Sequence, residues 1–434
     1  MRSRFAVCMM GAWSLLVSAS MTAQAQPAPP PGMYAPGAYD GPAESVAAYD
    51  YPNPRHTYGR QQYGAGPDRL ITERLPDDNG GFYEDTPVDR FLTAVVKSTW
   101  LRVEYMNFTF DKPGSTLLGS RVAGIVDPSK PFRTTVADQP ATARVPTTEA
   151  LHFRNVQGLR GTIGLPTSIG SFEASFLGFE RAHSEQIQVV PPPGDLTGAS
   201  PVLNPAAQIQ IATSTLTNGQ VGTNLFLYDK SFQIFQNSQL FGGEANWIGK
   251  SPYETGLVVS PLAGFRYFDF RERLFQRGTF NQLGQLDPAL VSDINSDVNN
   301  RVYAPQIGMR FEFVQPWLTL GVAPKVAMGV NTYDADVSTN HLRSPGDPAV
   351  STSKSGTRFT TVGDLSVYAR INVRENFSLN VGYQLFVAGG MSRPANNIRY
   401  NDNGPSQPAA IVVDPSFRNM VWQGLTVGGE FRFR

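Results

Sequence analysis

The sequence predicts an all-β fold: a closed antiparallel transmembrane β-barrel of about ten strands, within a range of roughly eight to fourteen, behind a disordered tether and one short helix. Three observations predict it. From Ser98 onward, apolar and polar residues alternate in runs of about 10–14 residues, longer than soluble strands and long enough to cross a bilayer obliquely. The connections between runs alternate long and short, as in bacterial outer-membrane barrels. No apolar run of roughly 18 or more residues lies outside the extreme N-terminus, which argues against spanning helices.

Composition agrees. Charged residues are 17% of the 434, below the ~25% of soluble domains. Hydrophobic residues, at 41%, are too few for a helical membrane bundle. The 41 glycines and 11% aromatic residues suit strand packing and interface girdles. A formal charge of zero argues against a nucleic-acid partner, which selects a basic surface.

The chain opens as a secretory signal over residues 1–25: Arg2 and Arg4, an apolar stretch from Phe5 to about Val17, then Ala23-Gln24-Ala25 as a small-x-small cleavage site. Cleavage before Gln26 removes Cys8, the one cysteine, so the mature chain has no thiol or disulfide chemistry. Loss of two arginines takes the formal charge to about −2. Residues 26–85 are rich in Pro, Gly, Tyr and Ala and lack aliphatic clusters, which predicts a disordered periplasmic tether. The barrel domain is expected over 86–434. It begins with Thr86-Pro87-Val88-Asp89, a helix start with Thr at the N-cap and Pro at N1, and a short helix over 87–97.

Ten strands follow, at about 98–109, 155–165, 170–182, 232–248, 255–270, 302–314, 317–330, 358–373, 376–387 and 421–433. "WLTLGVAPKVAMGV" is representative. Leu318, Leu320, Val322, Val326, Met328 and Val330 share one face; Thr319, Gly321, Ala323, Lys325, Ala327 and Gly329 share the other. The first, third, fifth, seventh and ninth connections are long and polar; those at Pro166–Ile169, Gly249–Glu254, Gln315-Pro316 and Arg374-Glu375 are short. "NLFLYDKSFQIF" leaves room for a further strand, and "FRERLF" for an extension. Short turns are periplasmic in such barrels, so both termini are expected in the periplasm and the long loops outside.

"KSTWLRVEYMNF", "LFGGEANWIG", "LAGFRYFDFRERL", "IGMRFEF" and "MVWQGLTVGGEFRF", in that order, resemble the β-barrel porin family seven of planctomycete bacteria over roughly residues 87–434. The resemblance implies an outer-membrane barrel of unassigned transport role and carries no catalytic or ligand residues. The ending "EFRF" resembles the assembly signal of outer-membrane proteins, with Arg434 after Phe433 as a departure; it implies the barrel-assembly machinery as a partner, beside outer-membrane lipid.

Alternation assigns the polar row to the lumen. That row holds Arg102, Arg160, Arg181, Arg266, Arg310, Lys325, Arg370 and Arg432, with Glu104, Glu173, Glu244, Glu312, Asp364 and Glu430. Unpaired charge in a narrow lumen is costly, so the signs should pair; Arg102 and Glu104 are expected to meet Glu430 and Arg432 where the first and last strands close. A pore selective by charge shows a ring of one sign, and this row is mixed. Leu177 and Phe179 fall on the same row, which leaves the parity of the third strand open.

Chemistry has few candidates. Pairing of Leu165 with Gly170 would set His152 opposite His183 at the rim, near Glu149 and Glu185, a donor set that suits zinc, copper or nickel; chance polar rim residues are the plainer reading. "DINSDVNN" from Asp293 has the alternation of a calcium loop, but Val298 and Ala304 stand where its Gly and Glu belong, and a solvated loop is expected. No motif of a barrel protease or phospholipase is present, so no catalytic residue and no cofactor is assigned. Two functions remain: a narrow porin-like channel for small solutes or ions, or a non-conducting barrel whose long loops bind partners. Porins are often trimers; a monomer fits these residues equally well.

Overall fold

A computed structural model describes residues 99–189, 209–218, 222, 224–342, 346–403 and 409–433. The expected signal segment, tether and 87–97 helix lie outside these residues.

The strands in chain order are β1 (Trp100–Phe110), β2 (Phe132–Val136), β3 (Gln139–Arg144), β4 (Phe153–Thr167), β5 (Gly170–Phe179) and β6 (Ala182–Val189). Next come β7 (Ile209–Leu216), β8 (Asn224–Tyr228), β9 (Ser231–Gly249), β10 (Gly256–Phe280), β11 (Leu290–Val314) and β12 (Leu318–Asn340). The last are β13 (Val350–Arg374), β14 (Phe377–Ser392), β15 (Ile398–Arg399), β16 (Val412–Val413) and β17 (Phe417–Arg432). Helix is confined to a 3-10 turn at Thr148–Ala150 and one turn, α1 (Pro394–Asn397), among the described residues. None of it is long and apolar enough to cross a membrane.

Hydrogen bonding runs β10-β11-β12-β13-β14-β17-β1-β4-β5-β9, and β9 pairs back onto β10, so ten antiparallel strands close into a ring. β6 continues β5 along the same partner: β5 pairs with 241–249 of β9, and β6 with 231–238. All ten expected strands have counterparts, and the short connections fall at 168–169, 250–255, 315–317 and 375–376. Both ends of the ring lie at this short-turn side, where the Phe433 N–H donates to the Thr99 carbonyl at 3.0 Å.

Outward side chains at this end form an apolar belt, including Val103, Leu159, Phe176, Ile307, Met328, Val381 and Leu425, all exposed. Tyr105, Tyr267, Tyr303 and Tyr383 border it on the long-loop side, and Phe313, Trp317, Phe431 and Phe433 border it at the turns. Such a belt with aromatic girdles is what hydrocarbon selects.

Above the belt the structure departs from expectation. β10 to β13 run well past the expected ends, so the connections at 281–289 and 341–349 are short. "DINSDVNN" is strand, not loop. Asp293 and Asp297 stand opposite Arg277 and Arg273 on β10 and bind them at 2.7 and 2.5 Å, while Ile294 and Val298 turn inward. Both carboxylates are thereby committed to arginine, which leaves no calcium loop. The register of the second hairpin also differs: Leu165 pairs with Phe172, and Thr167 with Gly170. The long connections carry a second sheet, β2-β3-β7-β8, with β3 and β7 parallel. β8 is the extra strand expected in "NLFLYDKSFQIF".

Candidate functional site: a lumen filled by side chains

Inward residues form layers that can be read along each strand. Along β1 the order is Arg102, Glu104, Met106, Phe108, Phe110; along β10 it is Arg266, Phe268, Phe270, Glu272. A charged layer near the short turns gives way to an aromatic layer and then to a second polar layer.

The charged layer is interlocked across the ring. Arg160 Nε lies 2.6 Å from Glu104 Oε2, and its Nη1 donates to Gln384 Oε1 at 3.0 Å. Gln384 Nε2 donates to Asp364 Oδ1 at 3.0 Å, and Asp364 Oδ2 is 3.7 Å from Arg266 Nη1. Arg266 Nη2 meets Glu244 Oε2 at 2.5 Å, and Lys325 Nζ meets the other Glu244 oxygen at 2.8 Å. Neither Arg160 on β4 and Gln384 on β14, nor Arg266 on β10 and Asp364 on β13, sit on neighbouring strands, so these contacts cross the lumen. Nearer the turns, Arg310 forks onto Glu173 at 2.8 and 2.7 Å. Arg370 reaches Glu312 at 3.3 Å and Glu430 at 3.6 Å, and Tyr368 donates to Glu312 at 2.7 Å. A buried charge is tolerated where partners and hydrogen bonds replace its water.

Arg102 approaches Glu430 at 3.5 Å, as closure of the first and last strands predicted. Glu104 takes Arg160 on β4 as its close partner, and Arg432 lies at the rim against Glu430 at 3.0 Å. Arg181 is exposed, because the strand breaks between β5 and β6 and the inward row resumes at Ala182. Leu177 and Phe179 do face inward, 2% and 3% exposed; they belong to the aromatic layer. The space among Trp100, Arg102, Glu173, Arg310, Glu312 and Arg370 is about 50 Å³, enough for a few waters.

In the aromatic layer Trp422 on β17 is fully buried. Its ring lies 4.8 Å from Phe386 on β14 and 6.3 Å from Phe110 on β1. It also lies 5.3 Å from Phe270 and 6.3 Å from Phe268, both on β10. β17 and β10 are on opposite sides of the ring, so this contact closes the lumen. Phe108 and Phe110 pack on Phe179 at 5.0 and 5.3 Å and fill the remaining sector. Sequence reasoning missed this layer: an aromatic on a polar row is indistinguishable in sequence from a packing residue of the belt.

In the second polar layer, Glu272 accepts from Gln236 at 2.8 Å, Ser238 at 2.9 Å and Arg393 at 2.9 and 2.8 Å. Gln276 donates to the Tyr400 hydroxyl at 3.0 Å, and burial pushes that phenol above its ordinary value, so it stays protonated.

His152 and His183 remain at the surface. His152 meets β6 through its backbone N–H, which donates to Ser184 Oγ at 2.9 Å. His183 Nδ1 pairs with Asn237 Oδ1 at 2.7 Å, and its Nε2 is 3.7 Å from Glu185. Glu149 lies in the 3-10 turn. Among the described residues no group of three or more His, Cys, Asp or Glu is placed to hold a metal.

The fold has distant likenesses among solved structures. The outer-membrane protease OmpT from Escherichia coli is 11% identical with a TM-score of 0.39, over 78% of this chain and 97% of that one. A FadL homologue of Pseudomonas aeruginosa is 10% identical with a TM-score of 0.25, over 77% and 90%. The toluene transporter TodX of P. putida is 7% identical with a TM-score of 0.20, over 79% and 92%. Likenesses this distant say nothing of mechanism. No curated protein matches the chain. A family model, by contrast, matches residues 100–433, which takes in the whole ring from β1 to β17: the chain belongs to the putative beta barrel porin-7 family of outer-membrane barrels.

Proposed function

We propose that the protein is a channel-type barrel for small solutes or ions whose pathway is narrow and, in the conformation described, shut. The contact of Trp422 with Phe268 and Phe270 across the ring carries this reading, and family membership supports the channel. Polar layers on both sides of one aromatic layer form a pathway that hydrates once that layer parts. The barrel has no catalytic role in this reading. The short turns and both termini face the periplasm, the capped end faces outward, and the C-terminal strand is what the assembly machinery engages.

The folded β2-β3-β7-β8 sheet favours the second reading, a non-conducting barrel that presents this cap to partners. Efflux from liposomes separates the two. Wild-type protein should retain a trapped small sugar, and Trp422→Ala should release it several-fold faster, because the layer loses its central ring. Efflux no faster than from empty liposomes, both from correctly folded Trp422→Ala and from the same protein with Glu272→Gln, would remove the channel reading and leave the surface barrel.

A further inference from the structure

Above the Trp422 layer, the chain just after β14 folds into the ring instead of out into solvent. Pro394, Ala395 and Asn397 of α1 are buried. The segment is seated on the far wall by polar contacts. Ser296 Oγ on β11 donates to the Pro394 carbonyl at 3.1 Å. Asn300, also on β11, binds both the N–H and the carbonyl of Ser392, each at 2.9 Å. Asn331 on β12 donates to the Gly390 carbonyl at 3.1 Å. The chain enters this path through a bulge in which Gly390 has φ +65°, a conformation that favours glycine.

Two contacts hold the segment to β10: the Gln276–Tyr400 hydrogen bond at 3.0 Å and one ion pair. Arg393 is 2% exposed and Glu272 is 2% exposed. The guanidinium forks onto the carboxylate at 2.9 and 2.8 Å, and its remaining N–H groups donate to the carbonyls of Lys112 and Asp111 at 2.8 and 3.2 Å. Three elements thus meet on one side chain: the end of β1, β10 and the segment itself. The two partners differ in freedom. Glu272 sits mid-strand and cannot leave; Arg393 sits in a connection at the long-loop end and regains water if the segment swings out.

We propose that residues 393–400 are a removable stopper in the mouth of the barrel and that Arg393–Glu272 is its latch. The polar seats on β11 and β12 exchange readily with water, as neutral hydrogen bonds do with little net change. Loss of either latch partner strands the other as a buried unpaired charge, and expulsion of the segment relieves it when Arg393 is the one left. The proposal rests on the channel reading for its purpose, but its test does not need conduction.

The test reads accessibility at Ala395, 2% exposed. Cys8 is the sole cysteine of the full sequence and falls in the expected signal segment, so Cys8→Ala with Ala395→Cys gives a single-thiol background. Protein in vesicles is treated with a charged maleimide. With the latch intact, labelling should be slow; with Glu272→Gln, which keeps the side chain's shape, it should rise at least tenfold. Arg393→Lys, which keeps the charge but loses the fork, should fall between. If Glu272→Gln does not fold, Glu272→Ala, which also leaves Arg393 unpaired, takes its place. Equal labelling rates in latched and unlatched folded protein would overturn the latch, whatever the efflux of Trp422→Ala shows.

Discussion

Glu104 is 4% exposed and would be prohibitive alone. Arg160 at 2.6 Å and Arg102 at 3.5 Å make it tolerable. Removing a partner from a buried pair typically costs about 3–5 kcal/mol, because the other charge stays desolvated. For Arg160→Met the loss should be near about 3 kcal/mol, since Arg102 remains. Urea unfolding of the reconstituted barrel measures it, and Glu104→Met with Arg160→Met together should recover most of the loss. A single variant as stable as wild type would mean that water reaches Glu104. The inward position of both residues was legible from alternation. Their mutual pairing was not, because Glu104 has candidate partners on either flanking strand and parity does not rank them. Arg181 fails for a related reason: a break in the strand changes which side a residue faces without altering the residue pattern.

At the scale of the element, β11 shows where the sequence was opaque. Its half next to the turn alternates cleanly, and its strand reading holds. In "DINSDVNN" the inward row mixes Ile294 and Val298 with Ser296 and Asn300, so no period-two contrast survives. What makes this stretch a strand is its partner: Arg273 and Arg277 on β10 meet Asp297 and Asp293 rung by rung. Strand extensions of this kind stand in water, and cross-strand ion pairs keep their faces soluble. These pairs should contribute little individually. Arg273 is 55% and Asp297 33% exposed at the side chain, so a double-mutant cycle should return about 0.2–1 kcal/mol, less in high salt. A coupling several times larger, or a melting temperature raised by calcium, would show that the aspartates do more than pair with arginine. The hairpin register was misjudged by treating Pro166–Ile169 as turn; Thr167 and Gly170 in fact pair, and the turn is tighter.

For the whole molecule, the strand number was legible from the period-two runs, and the family from the order of the motifs that resemble it. The state of the lumen was not, since it depends on side chains that meet across the ring from strands far apart in sequence. Trp422 and Phe270 have no local signature of contact. Barrels of about eight strands fill with side chains, while those of sixteen or more leave water-filled channels; ten strands with aromatic inward residues fall on the filled side. Single-channel recording in planar bilayers tests this most directly. Folded wild-type protein should be closed for most of the record, and Trp422→Ala with Phe386→Ala should open a steady conductance once Glu272→Gln also frees the segment after β14. A wild-type barrel that is constantly open, with conductance unchanged by these substitutions, would contradict a filled lumen.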